Sequence, residues 1–143
     1  MCSSDLARTE QPFTYIPCVS YMSDRVCGKR WVMLPSSAGF VDPLLSTGFP
    51  LTLLGVSRLA EILAGDWNSG QFQIELQSYA HQTMSELLAT ARLIAALYAN
   101  MNNFPVFKSL SLLYFAAASY SETARRLNKP YLAKSFLLHD HPV

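Results

Sequence analysis

The strongest periodic signal in the chain lies over residues 72–101. Apolar or small side chains fall at Leu76, Ala80, Met84, Leu87, Ala91, Ile94, Tyr98 and Met101, and these gaps of three and four draw one stripe along a helix. Asn102–Asn103 interrupts it. Asn103 can cap a further helix over 104–127, and Pro105 sits near that helix's first turn, where a missing N–H does no harm. Leu110, Leu112, Leu113, Tyr114, Phe115 and Ala116–Ala118 make this helix apolar nearly all round, which predicts a place at the centre of the core. Arg125 and Arg126 complement its C-terminal dipole, Asn128 ends it, and Pro130 opens a last short helix to about Leu138. Upstream, a helix over about 46–64 presents Leu51, Leu54, Leu59 and Ile62–Leu63. Ser46 or Thr47 can cap it, Pro50 falls in its first turn, and Gly65 stands where a stop is expected.

The N-terminal part has the other period. Residues 13–20 are aromatic and β-branched enough for a short strand, with Pro17 restricting it to an edge or a bulge. Asp24–Lys29 reads as a turn and Arg30–Leu34 as a second strand stopped by Pro35. These form a hairpin or two strands of a sheet completed elsewhere, since two strands alone are marginal. The expected fold is mainly α with a short β hairpin. It consists of a tail over 1–12, strands over about 13–34, a loop over 35–45, and helices over about 46–64, 72–101, 104–127 and 130–138.

Composition adds one constraint. Half of the 143 residues are hydrophobic and only 15% are charged, where globular chains carry roughly 25%. Either the domain is tightly buried, or it presents a face that further chain covers. Net charge is +1 with no basic cluster beyond Arg125–Arg126, which argues against nucleic acid as a partner. Apolar stretches are interrupted by Asp42, Arg58, Arg92, Lys108 and Glu122 before reaching the roughly 18 residues of a membrane span. Cys2, Cys18 and Cys27 are odd in number and unpaired in spacing, so neither a disulfide framework nor a metal site is expected, and a reducing cytoplasm fits. Cys2-Ser3-Ser4-Asp5-Leu6 is what one frame of a common sequencing-adapter end would encode. Met1–Leu6 therefore reads as a scar in preference to an ordinary polar tail, with the true start upstream.

The stretch Trp31–Gly55 carries the candidate chemistry. An expected strand leads into a loop of small residues, Ser36, Ser37, Ala38 and Gly39, past which a flat ligand can approach the backbone. The loop ends on a helix N-terminus at Ser46-Thr47-Gly48, where free amides and the helix dipole favour negative charge. A plain strand–loop–helix connection with a Ser/Thr cap accounts for the same residues.

Gly39-Phe40-Val41-Asp42-Pro43-Leu44-Leu45-Ser46-Thr47-Gly48 resembles the second flavin-binding motif of the flavin monooxygenase-like fold, in the version found in flavin-dependent halogenases and their oxidoreductase relatives. The resemblance covers about Arg30–Leu63, and more weakly Leu87–Asp140. It implies the C-terminal helical part of a truncated FAD-binding α+β fold, with a missing N-terminal FAD domain. It also implies FAD as cofactor and a small-molecule organic substrate, with or without a halide. The implied cofactor-binding residues are Ser36, Ala38, Gly39, Phe40, Asp42, Pro43, Leu44, Ser46, Thr47 and Gly48. The amides of Thr47 and Gly48 are the matching positions for a halide. The usual Gly-Asp at the start of the loop is replaced by Pro35-Ser36. No GxGxxG is present, and neither the halogenases' lysine nor their Trp-rich motif has a counterpart, so no catalytic residue is assigned.

Other residues have ordinary readings. His81 is a helical surface or satisfied histidine, and His139-Asp140-His141 a polar tail without a third metal ligand. Tyr98, Tyr114, Phe115 and Tyr120 pack a core or line a substrate cavity, and Asp42 beside Pro43 fixes a turn. The rival function is a freestanding helical protein-interaction module without catalysis.

Overall fold

The computed structural model describes residues 19–139. It is mainly helical, with two small antiparallel sheets. Strands β1 (Tyr21–Met22), β2 (Cys27–Gly28) and β3 (Trp31–Val32) lead to a helical turn, α1 (Pro35–Ala38), and to β4 (Gly39–Phe40). A 3-10 turn over Leu44–Ser46 precedes the three long helices α2 (Gly48–Leu63), α3 (Gly70–Ala99) and α4 (Phe104–Arg126). Two further 3-10 turns, Pro130–Leu132 and Phe136–Leu138, follow.

The strands pair differently from the expected hairpin over 13–34. Residues 13–18 of the first expected strand lie outside the described residues, and Val19 and Ser20 are in no strand. Tyr21 pairs instead with Phe40, and Met22 with Gly39. The hairpin that does form is local: Cys27 pairs with Val32 and Gly28 with Trp31, across Lys29–Arg30. The Trp31 indole lies against Gly28 so closely that a Cβ there would collide with it. The segment 35–45 is not an open loop, because Pro35 starts a helical turn and Gly39–Phe40 joins a sheet. The expected helix over 130–138 is two 3-10 turns, since Leu137 adopts a left-handed conformation (φ 58°) that no α-helix continues.

Helix α3 is the spine. Its side facing the core carries Phe72, Leu76, Tyr79, Thr83, Glu86, Leu87, Thr90, Ile94 and Leu97. The apolar stripe foresaw Leu76, Leu87 and Ile94, but Tyr98 and Met101 are exposed. The seam follows Thr83, Glu86 and Thr90 instead, because Glu86 has a partner across the core. Arg58 of α2 donates from Nη1 to Oε2 (2.8 Å) and from Nη2 to Oε1 (2.7 Å) of a fully buried Glu86. The backbone N–H of Phe136 donates to the same carboxylate (2.8 Å), and Arg58 also donates to the Lys134 carbonyl (2.9 Å), so one buried ion pair fastens the C-terminal turns to α2 and α3.

Helix α4 corrects an expectation. Only Tyr114, Ser121 and Ala124 of it are buried, and Leu112, Leu113 and Phe115 are more than half exposed. It lies across one side of α3, so its all-round apolarity is not used by the described residues. Helix α2 ends at Leu63 without a left-handed glycine. The Trp67 indole N–H caps the Leu63 carbonyl (2.7 Å), while Gly65 donates to Ile62.

Candidate functional site

The segment 33–45 is pinned by four tyrosine hydroxyls from four places in the chain. Tyr79 donates to the Met33 carbonyl (2.9 Å), Tyr21 to the Ser36 carbonyl (3.1 Å) and Tyr114 to the Leu45 carbonyl (2.9 Å). Tyr98 donates to the Asp42 carboxylate, equidistant from both oxygens at 3.1 Å. Burial raises the Tyr79 and Tyr114 phenols above their ordinary range, and the Asp42 carboxylate raises that of Tyr98. Each stays a donor well past neutral pH. Sequence patterning had no means of finding these contacts, because a tyrosine at helical spacing reads as apolar body first.

Asp42 has a second task. Its Oδ1 accepts the Leu44 backbone N–H (2.7 Å), two residues on. This is the turn-fixing role open to an aspartate beside a proline. Beyond it, Leu45 (φ 62°) and Ser46 (φ 52°) are both left-handed, a conformation that costs non-glycine residues about 1 kcal/mol or more each. The Tyr114 hydroxyl holds the first of the two in place.

That reversal delivers the chain to the start of α2 at Gly48. Thr47 is at the N-cap but in helical conformation (φ −63°, ψ −26°), and its side chain makes no capping bond. A capping hydroxyl needs an extended backbone to reach the second or third amide. Ser46, the other expected cap, is exposed and left-handed. Among the described residues the first amides of α2 thus have no side-chain cap. A Cβ built on Gly48 meets nothing within 4 Å, so this helix end is open.

The expected site residues divide. Phe40, Asp42, Thr47 and Gly48 line one cavity with Ser36, Gly39, Leu51 and Leu87. Its volume is about 30 Å³, the share of a single water molecule or monatomic ion. Pro43 and Ser46 are exposed, and Leu44 is half-buried outside it. Ala38 is wholly buried in the core, so it offers no wall to a ligand. Gly39 is small for packing reasons: a Cβ would stand 3.0 Å from Leu87 Cδ1 and 3.1 Å from the Tyr21 carbonyl oxygen. On the other side of 40–42, a wider groove of about 420 Å³ runs between the strands and α3, with Phe40, Val41 and Asp42 shared and Tyr98 at its edge. Among the described residues no group of three His, Cys, Asp or Glu side chains could hold a metal. Among the described residues no helix is long and apolar enough to cross a membrane. His81 is exposed, and Ser85 Oγ lies 2.8 Å from His139 Nε2.

A helix start with free amides favours negative charge, and the ion-sized cavity beside this one is lined by apolar side chains, by Ser36 and Thr47, and by the Asp42 carboxylate. Comparison with known proteins points to a distant relationship with a halogenase. The chain is 27% identical over 123 residues to tetracycline 7-halogenase from Kitasatospora aureofaciens. The match takes in 85% of this chain and 22% of that protein, so the chain spans about a fifth of its relative's length. No family model matches. No solved structure matches either.

Proposed function

We propose that this chain is the C-terminal part of an FAD-dependent oxidoreductase of the halogenase or monooxygenase type. In it the segment 36–48 stands beside the flavin ring. The observation that carries this reading is the open start of α2: uncapped amides at an exposed Gly48, over a cavity lined by Thr47. The similarity to a halogenase over most of the chain supports the same assignment. Bound flavin would supply the redox chemistry. The chain's own part is electrostatic: the N-terminal dipole of α2 stabilises negative charge at the pyrimidine edge of the ring, and the amides of Thr47 and Gly48 receive a halide where one is used. Phe40, Asp42, Pro43 and Leu44 form the adjoining wall, stiffened by the Tyr98 and Tyr114 hydroxyls. A cavity of about 30 Å³ is too small for an isoalloxazine ring; in this reading the residues form one wall of a flavin site that an N-terminal FAD domain completes.

The test is to recover the longer transcript, express its product and measure FAD binding and oxygen-dependent turnover of small aromatic substrates with and without halide. A preceding strand–GxGxxG–helix unit and stoichiometric FAD are expected. A transcript that starts at Met1, with no such unit, would leave the helical interaction module as the better account. The exposed apolar side of α4 favours that second reading as much as it favours a covered face in a larger enzyme.

A further inference from the structure

Between α2 and α4 lies a cavity of about 300 Å³ that shares no lining residue with the site above. Its walls are mostly hydrocarbon: Pro50, Leu53 and Leu54 from α2, Ala118 from α4, and Phe136 from the C-terminal turn. Three polar residues of α4 complete it: Ser121, Glu122 and Arg125.

The polar residues are unevenly satisfied. Glu122 accepts from Arg126 Nε at 2.7 Å, so its charge is already matched at the rim. Arg58, the next cation inward, is held by both oxygens of Glu86. Arg125 has neither arrangement: among the described residues its side chain makes no ion pair and no hydrogen bond. It is only half-exposed, and burial first, then the nearby Arg58 charge, push its guanidinium below the ordinary range, against the smaller opposing pull of Glu86 and Glu122. One turn earlier, the Ser121 hydroxyl is buried with no hydrogen-bond partner among the described residues. A desolvated guanidinium and an orphaned hydroxyl on one turn of one helix are each costly to leave unmatched.

We infer that this cavity binds a small organic monocarboxylate, its carboxylate held by Arg125 and Ser121 and its hydrocarbon body by Leu53, Leu54, Ala118 and Phe136. A guanidinium with no ion pair or hydrogen bond among the described residues can still take a negative charge directly, and its planar fork suits a carboxylate. The apolar walls exclude a bare inorganic ion as the best occupant. The volume sits at the lower end of small-molecule sites, enough for a body of about ten non-hydrogen atoms. The inference uses none of the residues in the flavin reading and stands if that reading fails.

Phenylacetate is the probe, and phenylacetamide is its neutral control of the same shape. Titration of the whole 15N-labelled chain, followed by NMR at constant ionic strength, is expected to shift Ser121, Glu122 and Arg125 signals saturably with phenylacetate. Phenylacetamide should bind at least about tenfold more weakly, the worth of a charged hydrogen bond. Arg125→Gln should weaken phenylacetate about tenfold or more. Ser121→Ala should weaken it a few-fold without lowering the melting temperature, since that hydroxyl has no partner in the free chain. Ala118→Leu, which fills the cavity and leaves both polar groups in place, should abolish binding. Equal affinity for acid and amide, unchanged binding in Arg125→Gln or in Ala118→Leu, or no saturable shift at all would overturn the proposal.

Discussion

The Tyr114 hydroxyl of α4 donates to the backbone carbonyl of Leu45 at 2.9 Å, across 69 residues of sequence. Leu45 is left-handed, so this bond helps hold a conformation its side chain disfavours. Tyr114→Phe keeps the ring and removes the donor. The expected cost is about 1 kcal/mol in urea unfolding, as for one buried hydrogen bond. Amide shifts should be concentrated at 44–48. A change spread evenly over the chain would show that the bond does not position the loop.

The Arg58–Glu86 pair supports a larger prediction. Glu86 is fully buried and Arg58 keeps 18% of its side chain exposed. Glu86→Gln leaves the guanidinium without a counter-ion and should cost about 2–4 kcal/mol, somewhat under the range for a fully buried pair. The double replacement Arg58→Met, Glu86→Leu should be less destabilising than Glu86→Gln, because no charge is left desolvated. Chemical denaturation of the three chains decides it. A double variant as destabilised as Glu86→Gln, or more so, would mean that the cost is not that of an uncompensated charge.

Residues that carry two properties at once are the ones whose places the sequence leaves hidden. The three long helices were legible because their apolar positions recur at three and four. Thr83, Glu86 and Thr90 were not, since polar residues at helical spacing read as a solvated face and Glu86 is placed in the seam only by Arg58 across the core. The pairing of Tyr21 with Phe40 was hidden for another reason: two-residue strands carry no alternation to read. At the site, the start of a helix near Thr47–Gly48 followed from the pattern. That Gly39 is small to admit Leu87, and that tyrosines hold the loop, required the tertiary contacts.

Those tyrosines give a pH dependence. Burial raises the Tyr79 and Tyr114 phenols above their ordinary value of 10.0. A group whose folded pKa lies above its unfolded value contributes stability that is fully present below the unfolded pKa. That stability is lost as pH rises through the folded pKa. Unfolding free energy should therefore be flat in this respect below about pH 10 and fall above it. The fall should be shallower in a Tyr79→Phe, Tyr114→Phe variant. Urea titrations at a series of alkaline pH values, read beside phenolate absorbance, test this. An unchanged alkaline slope in the variant would assign the loss to other groups.

Surface apolarity predicts self-association. Phe49 is 71% exposed, and Leu112 and Leu113 of α4 are 56% and 61% exposed. Large apolar side chains exposed to this degree are sticky in a free chain. Size-exclusion chromatography should show an elution volume that shifts with concentration, and Leu112→Lys, Leu113→Glu should reduce the shift. A clean monomer at every concentration would show that these side chains make no sticking surface.

Gly48 separates local stability from flavin function. A Cβ there meets only open space in this chain, so Gly48→Val should change the melting temperature of the free chain little: the residue is at the first helical position and buries nothing. In an assembled flavoprotein the same substitution should be damaging, because the branched side chain would stand where the ring or a halide must approach the first amides of α2. His81→Ala, at an exposed helical position, is the control and should alter neither stability nor flavin binding by more than about 0.5 kcal/mol. The measurement pairs thermal unfolding of the free chain with FAD affinity and turnover of the longer flavoprotein proposed above. The expected result is an almost silent Gly48→Val in the first and a loss of at least about tenfold in the second, equivalent to about 1.4 kcal/mol. If Gly48→Val and His81→Ala behave alike in both, the site does not lie at the start of α2. The open helix end would then be only a solvated terminus.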